Sequence, residues 1–135
     1  MANAFESRID VSVSADAAWE VAGDLTGVPK WYPMYTDCEM DGDIRIAQRT
    51  DGVEIVEYVF GYDDAARTYS YTVLSGVPLL AHRASFTVEE DGDGATVIWR
   101  TAGVSADPEV DLEERLAGRQ QEALNGMKAL LEGAA

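Results

Sequence analysis

The chain has 135 residues, of which 47% are hydrophobic, and it carries 25 acidic against 10 basic side chains, a net charge of −15. This length and apolar content exclude a disordered chain and predict one domain, spanning residues 1–135, with its own core. The negative charge disfavours nucleic acid and anionic membrane surfaces as partners, because their phosphates repel it.

The N-terminal segment contains one predicted strand and two predicted short helices. Ile9, Val11 and Val13 alternate with polar residues, which predicts a half-buried strand over residues 5–13. Ser14 suits the N-cap position of a helix over residues 15–24. After a break at residues 26–29, the aromatic segment 30–35 predicts the second short helix.

From residue 37 to residue 105 the hydrophobic pattern has a period of two. The predicted strands cover residues 37–41, 44–50, 53–62, 67–74, 82–90 and 95–105. Their connections are short and carry turn residues such as Asp51 and Gly52. With the first strand they make seven strands, and hairpin connections predict an antiparallel sheet.

A long amphipathic helix is predicted over residues 107–131. Asp107 suits its N-cap and Pro108 its first position. It would be roughly 35 Å long at about 1.5 Å per residue and needs a broad apolar partner. Its apolar residues, spaced by three and four, are Leu112, Leu116, Ala123, Leu124, Met127, Leu130 and Leu131.

This order of elements predicts an α+β fold, a seven-stranded curved antiparallel sheet wrapped around the C-terminal helix. Such a sheet encloses a cavity unless large side chains fill it. Gly118 and Gly126 lie inside the helix, where a missing side chain either makes room or, at Gly118, only bends the helix.

The sequence also resembles a known family along most of its length. The matching segments are SADAAW (14–19), DL (24–25), PKWYP (29–33), Gly52 with VE (56–57), YSY (69–71), TVIW (96–99) and ALLE (129–132). They resemble the polyketide cyclase/dehydrase branch of the SRPBCC superfamily, which includes START lipid-transfer domains and the birch-pollen allergen. The resemblance implies the helix-grip fold and an internal pocket for a hydrophobic molecule.

Alternation predicts which amphipathic rings line this pocket. Tyr69 and Tyr71 share one strand face, and Val97 and Trp99 share another. In the strand over residues 53–62 both faces are plausible. Phenol and indole groups suit a flat, oxygen-bearing ligand. The candidate ligand-binding residues are Trp31, Tyr32, Tyr35, Tyr58, Tyr69, Trp99, Arg100, Gln120 and Met127.

Four side chains are candidates for chemistry. His82, the only histidine, suits acid–base work, although a lone histidine at a strand end is more often a surface or loop residue. Arg83, like Arg100, can hold a carbonyl or enolate oxygen, although one of the two arginines can instead be an exposed strand residue that pairs with an acid. Tyr71 can polarise a carbonyl. Glu57 would carry a proton if it faces inward, because burial favours the neutral acid, but the solvent face is as plausible.

No metal-ligand spacing, phosphate-binding loop or dinucleotide fingerprint occurs, so we expect no metal and no cofactor. With the single Cys38 no internal disulfide can form, and Met1 to Phe5 lack the features of a secretion signal. We expect a cytoplasmic monomer or homodimer.

The resemblance implies a cyclase- or aromatase-like enzyme of secondary metabolism that folds a hydrophobic polyketone-type intermediate and promotes ring closure or dehydration. The alternative is binding or transport of a small hydrophobic ligand without a reaction. A third hypothesis is a partner-binding protein that uses the apolar residues 77–80.

Overall fold

The computed structural model describes residues 2–133, and in this part of the chain a seven-stranded antiparallel sheet covers two helices. The strand order is β1-β7-β6-β5-β4-β3-β2. The predicted α+β architecture with a closing helix is confirmed. The strands are β1 (Ala2–Val11), β2 (Tyr35–Asp41), β3 (Ile44–Arg49), β4 (Glu54–Asp63), β5 (Thr68–Ser75), β6 (Leu79–Asp91) and β7 (Gly94–Ser105), and the helices are α1 (Ala15–Ala22) and α2 (Leu112–Gly133).

The two short elements after β1 differ in kind. Ser14 caps α1 as predicted, since its hydroxyl accepts a hydrogen bond from the backbone N–H of Ala17 at 3.1 Å. The second predicted helix is only a three-residue 3-10 turn at Val28–Lys30, with Pro29 near its start. This turn leads directly into the aromatic segment before β2.

The last helix begins later than predicted. Asp107 accepts from the backbone N–H of Glu109 and so closes a separate turn. Asp111 then accepts from the backbone N–H of Glu114, in the position of an N-cap, and α2 starts at Leu112. The predicted cap at Asp107 was therefore wrong, because the proline turn ends before the helix starts. Leu130, predicted in the buried stripe, is exposed.

The inner face of the sheet packs against both helices. Helix α2 lies mainly along β1, and α1 lies over β6 and β7. Tyr69, Tyr71, Val97 and Trp99 are buried in this core, as alternation predicted. Ile98, on the opposite face of β7, is buried as well.

Gly126 lets α2 approach the segment that carries Trp31. A Cβ at Gly126 would lie 2.5 Å from the backbone oxygen of Trp31, so no side chain fits there. Gly118 has no neighbouring atom within 4 Å of such a Cβ, so packing does not require glycine at that position. The close approach at Gly126 holds Trp31 over the interior of the sheet.

Candidate functional site

Two neighbouring spaces lie on the inner side of the sheet, one beneath the segment 28–35 and the other beside α2. The inner chamber has a volume of about 30 Å³, and the mouth, which opens between β5, the loop before β6 and α2, has about 80 Å³. Both are lined by Tyr32, Tyr35, Glu57, Tyr71 and Trp99. The inner chamber is completed chiefly by Trp31, Cys38, Arg45, Tyr69 and Phe86, and the mouth by Val73, Val77, Leu79, His82, Leu116 and Gln120.

Aromatic side chains fill most of the hollow that the sheet curvature creates. The rings of Phe86 and Trp99 lie 4.6 Å apart between centroids, and Trp31 packs edge-on against both. Pockets for drug-sized ligands typically measure about 300–1,000 Å³. The two spaces are smaller than this, so a ligand of drug-like size can enter only if side chains at the mouth move. Tyr32 and Tyr35, half-buried and in edge-to-face contact at 5.0 Å, lie at that point.

A buried ion pair lies in the wall of the inner chamber. Arg45 is 3% exposed and Glu57 7%, and the Arg45 Nε donates to Glu57 Oε1 at 2.8 Å. The Arg45 Nη1 also donates to Tyr69 Oη at 3.2 Å and to a backbone oxygen. Burial by itself lowers the pKa of Arg45, but its interactions with Tyr69 and Glu57 raise that pKa well above the usual value. The guanidinium thus stays charged, and Glu57 is its counterion.

Arg45 is a site residue that the sequence patterns missed. On β3, Ile44 and Ile46 share one face and Arg45 lies on the other, so hydrophobicity favours the isoleucines as the buried pair. The register between β3 and β4 identifies the partner of Arg45, and it is set at the turn, where the Arg49 N–H donates to the Val53 oxygen. Counting four residues outward from each of these places Arg45 opposite Glu57, which is the observed register.

Glu57 faces inward, one of the two orientations that its sequence left open. Oε1 is taken by Arg45, whereas Oε2 makes no hydrogen bond within residues 2–133. The side chain keeps 10% of its surface exposed, toward the two spaces it lines. The bond from Arg45 holds this carboxylate in one orientation, and Glu57 lines both spaces.

Tyr71 lies at the boundary between the inner chamber and the mouth. Its hydroxyl oxygen accepts a hydrogen bond from the Trp99 Nε1–H at 3.0 Å. Burial raises the pKa of Tyr71 well above its usual value. The hydroxyl therefore keeps its proton at neutral pH and can act as a hydrogen-bond donor.

His82 closes a gap between β5 and β6 at the mouth. Backbone pairing of these strands ends at Tyr71 opposite Ala84, and beyond it the Val73 N–H donates to His82 Nδ1 at 3.1 Å. This bond leaves the proton of the neutral ring on Nε2. Burial lowers the pKa of His82 to about 4. At pH 7 the ring is neutral, a weak base that can donate from Nε2.

Three predicted site residues lie on the outer face of the sheet instead of the interior. Arg83 is exposed and stacks on a phenylalanine of β4, Arg100 lies 3.7 Å from a glutamate of β1, and Tyr58 is 41% exposed. Alternation is the physical reason, since the adjacent Ala84 and Trp99 face inward. The inward placement that the candidate roles of Arg83 and Arg100 require was therefore wrong, and Tyr58, whose strand left both faces open, lies on the outer one.

The two candidates on α2 have different surroundings. Gln120 is buried at the mouth, where its Nε2 donates to Thr101 Oγ1 at 3.0 Å. Met127 is fully buried in the core and lines neither space. Of these two, only Gln120 is placed to contact a bound molecule.

Trp31 presents an unpaired donor in this region. It is 3% exposed, and its Nε1 is the one buried side-chain nitrogen or oxygen without a hydrogen-bond partner in residues 2–133. A buried donor in this state is unfavourable by about 1–3 kcal/mol. The indole N–H of the neighbouring Trp99, in contrast, has an acceptor, because it donates to the Tyr71 hydroxyl.

The described residues contain no group of three or more His, Cys, Asp and Glu side chains placed to hold a metal ion. Burial raises the pKa of the Cys38 thiol to about 11, so it stays protonated and is a poor nucleophile. Neither helix within residues 2–133 combines the length and apolar character that crossing a membrane requires.

The family of this chain is shown by one comparison, with models of protein families. A family model described as polyketide cyclase / dehydrase and lipid transport matches residues 3–132. No curated protein matches the chain by sequence.

Three solved structures illustrate the likeness of fold. An uncharacterised protein from Bacillus thuringiensis has a TM-score of 0.86 and 19% identity, over 96% of this chain and 98% of that one. Ara h 8.0201 has a TM-score of 0.79 and 14% identity, over 98% and 99%. Norcoclaurine synthase from Thalictrum flavum, in complex with dopamine and hydroxybenzaldehyde, has a TM-score of 0.77 and 18% identity, over 100% and 89%. Identities this low support a shared fold and nothing finer.

Proposed function

Because the chain belongs to the polyketide cyclase / dehydrase and lipid transport family, we propose that it binds a small, hydrophobic, oxygen-bearing molecule between the sheet and α2 and promotes ring closure or dehydration on it without a cofactor. The observation that carries this proposal is the inward carboxylate of Glu57, which lines both spaces and is held by Arg45 through one oxygen, while the other makes no hydrogen bond within residues 2–133.

The proposed chemistry is an intramolecular aldol reaction. Glu57 Oε2 removes a proton from the carbon beside a ligand carbonyl, and the Arg45 bond to Oε1 keeps the carboxylate oriented. The enolate carbon then attacks a second carbonyl of the same molecule, and the new alkoxide takes the proton back from Glu57. Loss of water follows when Glu57 removes a second proton, from the carbon between the carbonyl and the carbinol. The new enolate expels the hydroxyl group by breaking the carbinol C–O bond, and Glu57 returns its proton to that group, which leaves as water.

Donors around the spaces support this role. The Tyr71 hydroxyl and the His82 Nε2–H are neutral donors that can stabilise negative charge on the enolate oxygen. The close aromatic walls would restrict a flexible chain to folded conformations, which brings the reacting carbons together. Both effects need a ligand that displaces the side chains at the mouth.

A second candidate function is binding without a reaction. Its support is the location of two of the predicted reactive groups, because Arg83 and Arg100 lie on the outer face. With His82 a weak base, Glu57 is the main group left for proton transfer. A carrier needs only the apolar walls and hydrogen bonds, and so would tolerate replacement of Glu57.

The test uses heptane-2,6-dione, a simple diketone whose aldol cyclisation and dehydration give a cyclohexenone with strong ultraviolet absorption. In Glu57→Gln the amide oxygen can still accept from Arg45, but the counterion is lost, so the NMR spectrum must first show that the variant is folded. We then expect it to bind the dione, measured by NMR chemical shifts, and to lose cyclisation by about 100-fold or more. Glu54→Gln is the matched control, since Glu54 is an exposed glutamate of the same strand. Equal cyclisation rates in both variants would refute the catalytic proposal, and binding without cyclisation by the wild type would favour the carrier.

A further inference from the structure

The inner chamber has more hydrogen-bond donors than acceptors. Trp31 Nε1–H has no acceptor within residues 2–133. Tyr71 Oη accepts from Trp99, the one hydrogen bond that this hydroxyl makes in the described chain, so its own proton remains to be donated. The Tyr69 hydroxyl likewise accepts a hydrogen bond, from Arg45, and keeps its own proton to donate.

The acceptors available to these donors are few. The backbone oxygen of Leu25 already accepts from Arg45, as does Glu57 Oε1. Glu57 Oε2 is the remaining carboxylate oxygen, and the Glu57 side chain is shared between the chamber and the mouth. A group that enters the inner chamber is therefore best matched if it brings an acceptor.

We infer that the inner chamber is a subsite for one carbonyl oxygen of the ligand, held by the indole N–H of Trp31 and the hydroxyl of Tyr71. This inference rests on the proposed function and names its substrate class, an aldehyde or ketone whose carbonyl end enters first. Both residues line the chamber. Trp31 is a specificity-determining residue in this arrangement, because ligands without the acceptor leave its N–H buried and unpaired.

The volume of the inner chamber and the charges around it further limit which chemical group of a ligand can enter. The chamber of about 30 Å³ admits roughly one or two non-hydrogen atoms in its present form, which suits a carbonyl and excludes a phosphate. The charge of Arg45 in the chamber wall is already balanced by Glu57, so a ligand carboxylate would add an unbalanced negative charge to a protein of net charge −15. A neutral carbonyl meets neither obstacle.

The experiment compares two probes of the same shape, acetophenone and α-methylstyrene, in which a methylene group replaces the carbonyl oxygen. The chain has three tryptophans and hence three indole N–H signals in a proton–nitrogen correlation spectrum. Trp31→Phe assigns the Trp31 signal. We expect acetophenone to move that signal downfield, as a new hydrogen bond does, and α-methylstyrene to leave it without a downfield shift.

Trp19 is an internal control, because its Nε1–H already donates to Asp64 at 2.9 Å and its signal should stay in place. Affinities give the second measure. Trp31→Phe and Tyr71→Phe should each weaken acetophenone binding by about tenfold and leave α-methylstyrene binding unchanged. If Trp31→Phe does not fold, the wild-type signal and Tyr71→Phe still decide the question.

Two results would overturn the inference, and only the second of them would also overturn the proposed function. Equal affinities for the two probes with an unmoved Trp31 signal would show that the chamber does not select an oxygen, while binding in the interior would stand. If neither probe changes any signal of the residues around the chamber and mouth, interior binding fails too, and the proposed function falls with the inference.

Discussion

Removing one partner of the Arg45–Glu57 pair should destabilise the protein far more than removing both. In Glu57→Leu the guanidinium of Arg45 stays buried without its counterion, and arginine cannot relieve this by losing a proton. In the double variant Arg45→Met/Glu57→Leu, apolar side chains replace both charges. The comparison therefore separates the penalty of an unpaired buried charge from the net value of the pair.

The expected magnitudes follow from the burial of both groups. Breaking a buried pair typically costs about 3–5 kcal/mol, and with Arg45 only 3% exposed we expect Glu57→Leu to fall in this range. In the double variant the loss of the hydrogen bonds from Arg45 to Tyr69 and Leu25, about 1 kcal/mol each, offsets the gain in apolar packing. Its free energy of unfolding should lie within about 2 kcal/mol of wild type.

Urea unfolding followed by tryptophan fluorescence measures these free energies. At about 3–4 °C per kcal/mol for this size, Glu57→Leu should also lower Tm by roughly 10–20 °C. Asp16→Asn, which removes the surface partner of Arg67, is the control and should change the midpoint little. A loss below about 1 kcal/mol in Glu57→Leu would mean that Arg45 reaches solvent, and the description of the chamber wall would be wrong.

Two further predictions concern α2 and the mouth. Gly126→Ala should lower the free energy of unfolding by about 1–3 kcal/mol, because its Cβ would meet the Trp31 oxygen at 2.5 Å, whereas Gly118→Ala should raise it by up to about 1 kcal/mol; equal effects in urea unfolding would contradict the packing described at Gly126. For His82, the unfolded chain takes up a proton near pH 6.5 and the folded chain only near pH 4, so stability should fall as the pH drops through this window. An NMR titration of the His82 ring giving a pKa near 6.5 would contradict the burial of the ring and its bond to Val73.

Alternation along single strands predicted part of the site correctly. Tyr71 and Trp99 face inward because side chains on a strand point to opposite faces in turn, and the large rings mark the buried side. The same rule, applied consistently, also places Arg100 on the outer face, since it follows Trp99. Arg83 precedes Ala84, Phe86 and Val88, which alternate inward, and so it too must face outward.

The sequence by itself determined the order of elements, the antiparallel sheet and the closing helix, because hydrophobic period, turn residues and caps act over a few neighbouring residues. Only the tertiary structure decided that Glu57 faces inward, since β4 is apolar on both faces and its orientation depends on pairing with β3. It also decided how much of the interior stays open. That volume depends on how Trp31, Phe86 and Trp99 pack together, and these rings come from distant parts of the chain that no local pattern relates.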